Sequence, residues 1–364
     1  MKSIDVPSHI IKLRVKRIKK AMAEVGARGL LISQPENVQY VTGFNVVGNP
    51  PRNSWALILE DDEEAYLLVP VLEYYEAIEE VKHAEVVILD RSKKLMEAIA
   101  DFLLEMKMHD PIYMDDLKDH DLVSSIKRKL GVKDVRSMQE SIEKLRAKKD
   151  EYEISCMKEA INKVKKGLEK AQDILREGIA EVSLVAEIEK VLWEEGIDGI
   201  AFDPIVASGP RSSFPHAKPT TRHIRRGDSV VIDLGVRIQG YCSDITRTFI
   251  MGRNPEVEEV LDYIINVQET IASHIKSGVR ASEINAEAVS LLRERKLDEY
   301  YLHGLGHGIG LSVHEKPTIS SLSEDVLEVG NVVTLEPGVY FRGRFGVRHE
   351  DVFLVSDDGC LRLS

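Results

Sequence analysis

The 364-residue chain is poor in cysteine: it has three, Cys156, Cys242 and Cys360, which are far apart and odd in number. Such a set cannot form a disulfide framework and indicates a reducing compartment. The chain also lacks an apolar run of the roughly 18 residues that a membrane span requires. Its first ten residues contain charges and a proline where a signal peptide needs apolar residues. We therefore expect a cytoplasmic protein with no membrane partner.

A surplus of positive charge is lacking as well, since 49 Lys and Arg stand against 61 Asp and Glu, a net charge of −12. The acidic balance argues against a broad nucleic-acid surface, and we expect no nucleic-acid partner. Hydrophobic residues, by contrast, make up 43% of the chain. Length and composition together exclude a disordered or fibrous protein and indicate two folded domains.

The first 138 residues alternate between strand and helix patterns, which is typical of an α/β domain. Ser8 is expected to cap a first helix, in which Ile11, Val15, Ile18 and Met22 recur at helical spacing. Further helices are predicted near 93–107 and 120–131. The predicted strands are 29–33, 54–60, 64–69, 85–89 and 112–114.

A long helical pattern then runs from residue 141 to residue 175. We place the domain boundary just before it, so that the second domain comprises residues 139–364. Periodicity predicts an α+β domain there, with helices at 183–195, 256–276 and 281–296. Its predicted strands are 203–208, 229–234, 241–250, 331–336 and 348–355.

Two pairs of acids lie in strand-like segments of this second domain. If the segments around Asp233 and Asp244 form a hairpin centred at position 238.5, the two carboxylates face each other roughly 5 Å apart. The same reasoning places Glu336 opposite Glu350, with Gly343 at the turn, where a glycine is favoured. Carboxylates so close must share a proton or bind a cation.

His307 lies between these two hairpins, among glycines at alternate positions that let the backbone pass close to a neighbour. Four carboxylates and one imidazole suit two divalent cations that share bridging ligands. The oxygen-rich set favours Mn²⁺, with Co²⁺, Zn²⁺ and Fe²⁺ as alternatives. A dinucleotide loop would need glycine where Ile309 and Leu311 stand.

At these positions the sequence resembles the metal-dependent peptidases of the pita-bread fold, which include methionine aminopeptidase, aminopeptidase P and prolidase. The segment Gly29–Phe44 extends the resemblance to the first domain of prolidases and of aminopeptidase P. A creatinase/prolidase-like α/β domain followed by an α+β pita-bread domain is therefore implied. The matching motifs are Ser-Phe-Pro-His216-Ala, Asp233-Leu-Gly, Tyr-Cys-Ser-Asp244-Ile-Thr-Arg-Thr, His303-Gly-Leu-Gly-His307-Gly-Ile-Gly-Leu, Val-His314-Glu, Leu-Glu336-Pro-Gly and Gly-Val-Arg-His-Glu350-Asp.

The resemblance also implies a ligand set for two divalent metal ions per subunit. One ion would be bound by Asp233, Asp244 and Glu350. The other would be bound by Asp244, His307, Glu336 and Glu350.

Further roles follow from the resemblance. His216 and His314 would contact substrate and assist catalysis, and Glu336 would pass a proton to the leaving amine. His303 would either join them in substrate binding or be a packed loop residue. Arg348 and Thr246 would support the ligands from behind.

The implied activity is hydrolysis of the Xaa-Pro bond of dipeptides, as in prolidase. The alternatives are an aminopeptidase P that acts on longer Xaa-Pro peptides, a non-catalytic peptide- or protein-binding member of the fold, and a metal-independent hydrolase resembling creatinase. Thr318 stands where some similar prolidases carry an arginine suited to hold a dipeptide carboxylate. Lys316, Arg342 and Arg344 are conceivable substitutes.

The resemblance also implies a homodimer, with the first domain at its interface and controlling access to the substrate site. The segment 45–53, rich in glycine and proline, would then be either a loop directed at the partner's site or an ordinary surface turn.

Overall fold

A computed structural model describes residues 6–48 and 51–364 of the chain. It divides into two compact units, Met1–Arg146 and Ala147–Ser364, whereas periodicity places the boundary between residues 138 and 139. Residues 49 and 50 of the predicted loop 45–53 lie outside the described residues. Within the described part of the chain, no helix is both long enough and apolar enough to cross a membrane.

The first unit is built on one six-stranded sheet. Its strands are β1 Gly29–Ile32, β2 Trp55–Leu59, β3 Ala65–Val69, β4 Ala84–Ile88, β5 Ile112–Met114 and β6 Val135–Ser137. They lie in the order β4-β3-β2-β1-β5-β6. The pairs β3–β4, β1–β5 and β5–β6 are parallel, and the pairs β1–β2 and β2–β3 are antiparallel. The helices are α1 Ser8–Glu24, α2 Pro35–Thr42, α3 Val71–Glu80, α4 Leu95–Glu105, α5 His120–Leu130 and α6 Gln139–Ala147.

The beginning of α1 differs from the prediction. Ser8 is the first helical residue, and Pro7 occupies the cap position without a side-chain hydrogen bond, so the predicted Ser8 cap is wrong. The Pro7 carbonyl accepts hydrogen bonds from the amides of Ile10 and Ile11 at 2.9 and 3.4 Å, which begins the helix without a polar cap. The predicted apolar stripe of α1 is buried as expected.

The helix expected from residue 141 to residue 175 is interrupted. The second unit opens with α7, Glu151–Ile174, which is separate from α6. Asp150 caps α7: its carboxylate accepts from the Glu153 amide at 2.9 Å, and the Glu153 carboxylate accepts from the Asp150 amide at 2.9 Å. This reciprocal capping box starts a new helix, which apolar periodicity alone does not register.

Small sheets form the framework of the second unit. Their strands are β7 Gly199–Ile200, β8 Ile205–Ser208, β9 Ser229–Leu234, β10 Val236–Ile238, β11 Tyr241–Cys242, β12 Ile245–Ile250, β13 Gly306–Gly308, β14 Glu315–Ile319, β15 Val332–Leu335, β16 Gly338–Phe341, β17 Phe345–Arg348, β18 Asp351–Val355 and β19 Cys360–Arg362. The sheets have the orders β11-β10-β7, β12-β9-β8, β14-β13-β15-β18-β19 and β16-β17. The remaining helices are α8 Glu181–Glu194, α9 Pro255–His274 and α10 Ala281–Glu294, together with the short 3₁₀ helices Gly209–Ser213 and Asp298–Tyr300.

An apolar core joins α9 and α10 to the strands that carry the predicted site. Ile264 and Ile271 of α9 and Leu292 of α10 are fully buried with Leu335 of β15 and Phe353 of β18. Each such side chain stabilises the unit by about 1.5–3 kcal/mol through burial of apolar surface. The strand ends that present the acids are thus held by packing that is independent of the acids themselves.

Candidate metal centre

The hairpin that carries Asp233 and Asp244 turns one position later than predicted. Ile238 pairs with Tyr241, so the turn is Gln239-Gly240, whose φ angles are +52° and +80°. Positive φ at both central residues gives the tight turn that matches strand twist. Asp233 is therefore opposite Thr246, and the prediction that it lies directly opposite Asp244 is wrong. The two acids are diagonal neighbours on the same face instead.

The second hairpin follows its predicted register. Gly338 pairs with Arg348 and Leu335 pairs with Asp351, and both pairs are centred on Gly343. Gly343 has a φ of +74°, which a side-chain-bearing residue rarely adopts. Because the two pairs flank them symmetrically, Glu336 and Glu350 lie opposite each other, as predicted.

His307 lies on β13, between β14 and β15. Its neighbours must be glycines, because a Cβ at Gly306 would lie 2.0 Å from the Thr334 carbonyl oxygen, and one at Gly308 would lie 2.1 Å from the Lys316 carbonyl oxygen. The imidazole Nδ1 lies 3.1 Å from the Gly308 carbonyl oxygen. A carbonyl only accepts, so Nδ1 carries the proton and Nε2 presents a lone pair.

That Nε2 atom faces carboxylates rather than donors. It lies 3.8 Å from Oδ2 of Asp244 and 3.7 Å from Oε1 of Glu336. Burial lowers the pKa of His307 to about 4, so the ring is neutral at pH 7. An acceptor nitrogen facing acceptor oxygens over these distances makes no hydrogen bond but suits a shared cation.

The four acids lie close together in a buried place, so their negative charges repel one another. Burial raises the pKa of Asp244 well above its usual range, and the charges of Glu350, Asp233 and Glu336 raise it further. Burial, followed by the charge of Glu350, likewise raises the pKa of Glu336 well above its usual range. Burial and the charge of Asp233 raise the pKa of Glu350 to about 8.

Two of these oxygens also lack partners. Among the described residues, Oδ1 of Asp233 and Oδ1 of Asp244 are buried without a hydrogen bond. Atoms of Asp244, His307 and Glu350 that could coordinate a metal ion lie within 4.8 Å of one another. Orphaned buried oxygens and mutual repulsion are both relieved by a divalent cation, so this donor set fits one.

Thr246 and Arg348 hold the acids from behind. The Thr246 hydroxyl donates to Oε2 of Glu350 at 2.9 Å and accepts from Nε of Arg348 at 3.1 Å. Nη2 of Arg348 donates to Oδ2 of Asp233 at 2.6 Å. This contact is a single hydrogen bond from one guanidinium nitrogen and not a bidentate pair.

Tyr340 is a member of this network that sequence reasoning missed. Its hydroxyl accepts from Nη1 of Arg348 at 2.9 Å and donates to Nε2 of His303 at 2.8 Å. The remaining ring nitrogen of His303 lies 2.8 Å from the Gly304 carbonyl oxygen. The sequence offers one signal for Tyr340, namely Gly346, which lies opposite it and leaves room for the ring.

All ten predicted site residues except Thr246 line one cavity of about 560 Å³, and Thr246 lies behind it. The His314 ring centre lies 4.1 Å from that of His307. His216 reaches the cavity from the loop that follows the 3₁₀ helix Gly209–Ser213. The rest of the wall includes apolar side chains such as Phe202 and Val313.

Thr318, which stands where some similar prolidases carry a carboxylate-binding arginine, also lines the cavity. The three conceivable substitutes do not belong to its lining among the described residues. The ammonium of Lys316 binds both carboxylate oxygens of Asp325 at 3.0 Å, and Arg344 pairs with Glu256. The cavity does contain Lys218, which is largely exposed and lies 3.1 Å from Asp203.

Buried carboxylates with raised pKa values, a neutral histidine facing them and an adjacent open cavity define a candidate centre for divalent metal ions. Comparison with known proteins identifies the family. Residues 155–357 match the model of metallopeptidase family M24, and residues 14–148 match the creatinase/prolidase N-terminal domain. The chain belongs to metallopeptidase family M24, and the fold class expected from the sequence is confirmed.

Several relatives match over nearly their whole length. An Xaa-Pro dipeptidase of Pyrococcus furiosus is 34% identical over 355 residues, 97% of this chain and 98% of the relative. The prolidase structure from that organism has a TM-score of 0.86 at 35% identity and covers 95% of this chain and 98% of its own. An X-Pro aminopeptidase structure from Thermotoga maritima has a TM-score of 0.86 at 32% identity and covers 96% and 97%.

Proposed function

We propose that this protein is a metal-dependent dipeptidase that cleaves the bond between any residue and a following proline. The observation that carries the proposal is the convergence of four carboxylates and one neutral imidazole at one cavity of about 560 Å³. Relatives named Xaa-Pro dipeptidase, 34% identical over nearly the whole chain, support this substrate class.

The ligands that we assign are those implied by the resemblance. Asp233, Asp244 and Glu350 would hold one divalent cation. A second cation would be held by Asp244, His307, Glu336 and Glu350, so that Asp244 and Glu350 contribute to both sites. The predominance of carboxylate oxygens favours Mn²⁺ over softer ions. When bound, such a pair of cations supplies a nucleophile at neutral pH and a Lewis acid for the scissile carbonyl.

The side chains around the cations then orient the peptide and move its protons. Burial lowers the pKa of His314, so its neutral ring can donate an N–H to the oxyanion that develops at the scissile carbonyl. His216, which lines the same cavity, is assigned the same kind of contact. Glu336 is assigned, from the resemblance, the transfer of a proton to the leaving proline nitrogen.

His303 receives a different assignment from the other two histidines. Both of its ring nitrogens already have protein partners, Tyr340 and the Gly304 carbonyl. Burial lowers its pKa to about 4, so it stays neutral. We therefore infer that His303 shapes the cavity wall against which the substrate lies.

A second candidate, aminopeptidase P activity on longer peptides, is favoured by the side chain at position 318. The hydroxyl of Thr318 offers no charge to a free carboxylate, and Lys218, which lines the same cavity, is paired with Asp203 and largely exposed. A site that does not fix the carboxylate of proline discriminates less strongly against a further residue.

Hydrolysis of Xaa-Pro, Xaa-Pro amide and Xaa-Pro-Yaa peptides distinguishes the two activities. The dipeptidase assignment expects the highest kcat/KM for Xaa-Pro, whereas a preference for the tripeptide by about tenfold or more, some 1.4 kcal/mol, contradicts it. Chelation should abolish cleavage, and adding back Mn²⁺, Co²⁺, Zn²⁺ or Fe²⁺ in turn identifies the ion. A chelated enzyme that keeps full activity contradicts the metal requirement.

The first unit is assigned two roles, dimerisation and control of access to the substrate site. The homodimer and the cytoplasmic location remain predictions from the resemblance and the composition. Sedimentation velocity of the full chain at micromolar concentration tests the dimer, and a monomer there contradicts it.

A further inference from the structure

Glu181 is a buried acid that the proposed chemistry does not use. It is the first residue of α8, and none of its surface is exposed. Its Oε1 accepts from the amide and hydroxyl of Ser208 at 2.8 and 2.7 Å. Its Oε2 accepts from the amide and hydroxyl of Thr220 at 3.0 and 2.8 Å and from Nε of Arg211 at 3.2 Å. One carboxylate therefore receives five hydrogen bonds.

The two oxygens serve opposite ends of one chain segment, residues 208–220. Between those ends lie Pro215, His216, Ala217 and Lys218, which all line the cavity. The backbone of α8 joins the same closure, because the amide of Val182 donates to the Thr220 carbonyl at 3.0 Å. Bringing the ends of such a loop together has an entropic cost, which the bonds to Glu181 offset.

On its other side the segment contacts the hairpin of β16 and β17. The hydroxyls of Ser212 and Ser213 accept from the amides of Gly346 and Gly343 at 2.8 and 3.2 Å. Nη1 of Arg348 donates to the Pro215 carbonyl at 3.2 Å. The loop that presents His216 is thus held between the hairpin of the proposed ligands and Glu181.

We propose that Glu181 is the positioning residue for His216: by tying both ends of segment 208–220 to one buried carboxylate, it fixes the imidazole at the cavity wall. This inference rests on the role given to His216 in the proposed function. A glutamine at position 181 keeps the shape but replaces one acceptor oxygen with an N–H donor. It can therefore satisfy Ser208 or Thr220, but not both, and one end of the segment is released.

The test is a double-mutant cycle on the metal-loaded enzyme with Glu181→Gln, His216→Ala and both together. Displacing a substrate-contacting group by about 1 Å lowers rates by up to about a hundredfold, so Glu181→Gln should lower kcat/KM by about tenfold to a hundredfold. It should divide the loss between kcat and KM as His216→Ala does. In the His216→Ala background it should change kcat/KM by less than about twofold, because the group that it positions is gone.

Asp115→Asn, in the first unit, is the matched control. It also removes one fully buried, hydrogen-bonded carboxylate charge, but far from segment 208–220 in sequence. Its kcat/KM per folded molecule should equal that of the wild type. Bound metal, measured on each variant, should stay unchanged, since Glu181 touches none of the proposed ligands.

Either of two kinetic results for Glu181→Gln would overturn the inference. One is a folded Glu181→Gln variant with wild-type kcat/KM, and the other is an equal loss in the wild-type and His216→Ala backgrounds. If Glu181→Gln does not fold, Thr220→Val, which removes one hydroxyl bond, should lower kcat/KM in the same direction by a smaller factor. Unchanged kcat/KM in that variant is equally adverse.

Amide hydrogen exchange separates this inference from the proposed function. Segment 208–220 should exchange faster in Glu181→Gln than in the wild type, whatever substrate the enzyme takes. Failure of the wild type to cleave Xaa-Pro peptides contradicts the proposed function. Unchanged exchange in an active enzyme contradicts only the role of Glu181.

Discussion

Two buried acids, one in each unit, have different surroundings. Asp115 of the first unit accepts hydrogen bonds from the amide and hydroxyl of Ser33, both at 2.8 Å, from the Gln34 amide at 3.0 Å and from the Asn37 side chain at 2.8 Å. Asp244 of the second unit faces other acids and has an orphaned oxygen.

Burial raises the pKa of both acids, and only for Asp115 do hydrogen bonds oppose the shift. Burial alone therefore does not mark a functional acid. A buried carboxylate that is surrounded by hydrogen-bond donors is already satisfied by the protein. One that is surrounded by other carboxylates is stabilised when a cation binds.

The largest expected effect comes from Asp244→Asn. Loss of a shared ligand should lower kcat/KM by three orders of magnitude or more, which corresponds to about 4 kcal/mol of transition-state stabilisation. The metal-free variant should unfold at the same or a higher temperature than the metal-free wild type, because one repelling charge is removed. Steady-state kinetics and calorimetry measure both. A less stable metal-free variant would mean that Asp244 is satisfied as Asp115 is.

A pH titration of stability tests the repulsion itself. Glu350 has an ordinary pKa of 4.5, raised in the folded chain to about 8, so the folded state keeps a proton that the unfolded state releases. The metal-free protein should therefore lose stability as the pH rises from about 4.5 to about 8, and little more above that. Saturating Mn²⁺ should remove or reverse the decline, since ligation needs the deprotonated acids.

Urea unfolding of chelated and loaded protein at each pH measures this dependence. A metal-free protein that gains stability between pH 5 and pH 8 contradicts the assignment. Asp244→Asn should flatten the decline, because it removes a second buried acid whose own pKa is raised in the folded chain.

Asp115→Asn should show the opposite behaviour to Asp244→Asn. Placing an amide N–H among donors leaves buried groups unsatisfied, at a cost of about 1–3 kcal/mol in the free energy of unfolding. The activity per folded molecule should not change. Urea unfolding with parallel kinetics tests this, and a loss of activity at full folding would refute a purely structural role for Asp115.

The smallest effect is expected for Tyr340→Phe, which removes a neutral hydroxyl and leaves every carboxylate in place. Removing the hydroxyl leaves Arg348 and His303 each short of one hydrogen bond, which is worth about 1 kcal/mol. We expect kcat/KM to fall by about fivefold with bound metal unchanged. A loss as large as that of Asp244→Asn would place Tyr340 among the reacting groups.

How far the sequence predicted the site is clearest in its two hairpins. Around Gly343 the midpoint of the acids and the turn coincide, so register and pairing followed from spacing alone. Around Gln239 the midpoint argument assumed that two acids must be directly opposite. The turn instead lies at Gln239-Gly240, because these two residues take the positive φ angles that a tight two-residue turn requires.

Other features depended on contacts between residues distant in sequence. Apolar periodicity continued through Asp150, where polar capping interrupts the helix. Glu181 acts through Ser208, Arg211 and Thr220, which lie 27 to 39 residues further along the chain, and no local pattern indicates such partners. Residue types and motif order selected ten residues, nine of which line one cavity; the roles assigned to them stay predictions.

The glycines beside His307 set a limit on how this protein can change. Any side chain at Gly306 or Gly308 would collide with the backbone of a neighbouring strand, which cannot swing aside as a side chain can. In a library of random variants selected for activity, these two positions should be depleted as severely as the acids, although they bear no reactive group. Intolerance to substitution at these two positions would reflect the close spacing of the strands and would not identify a catalytic residue.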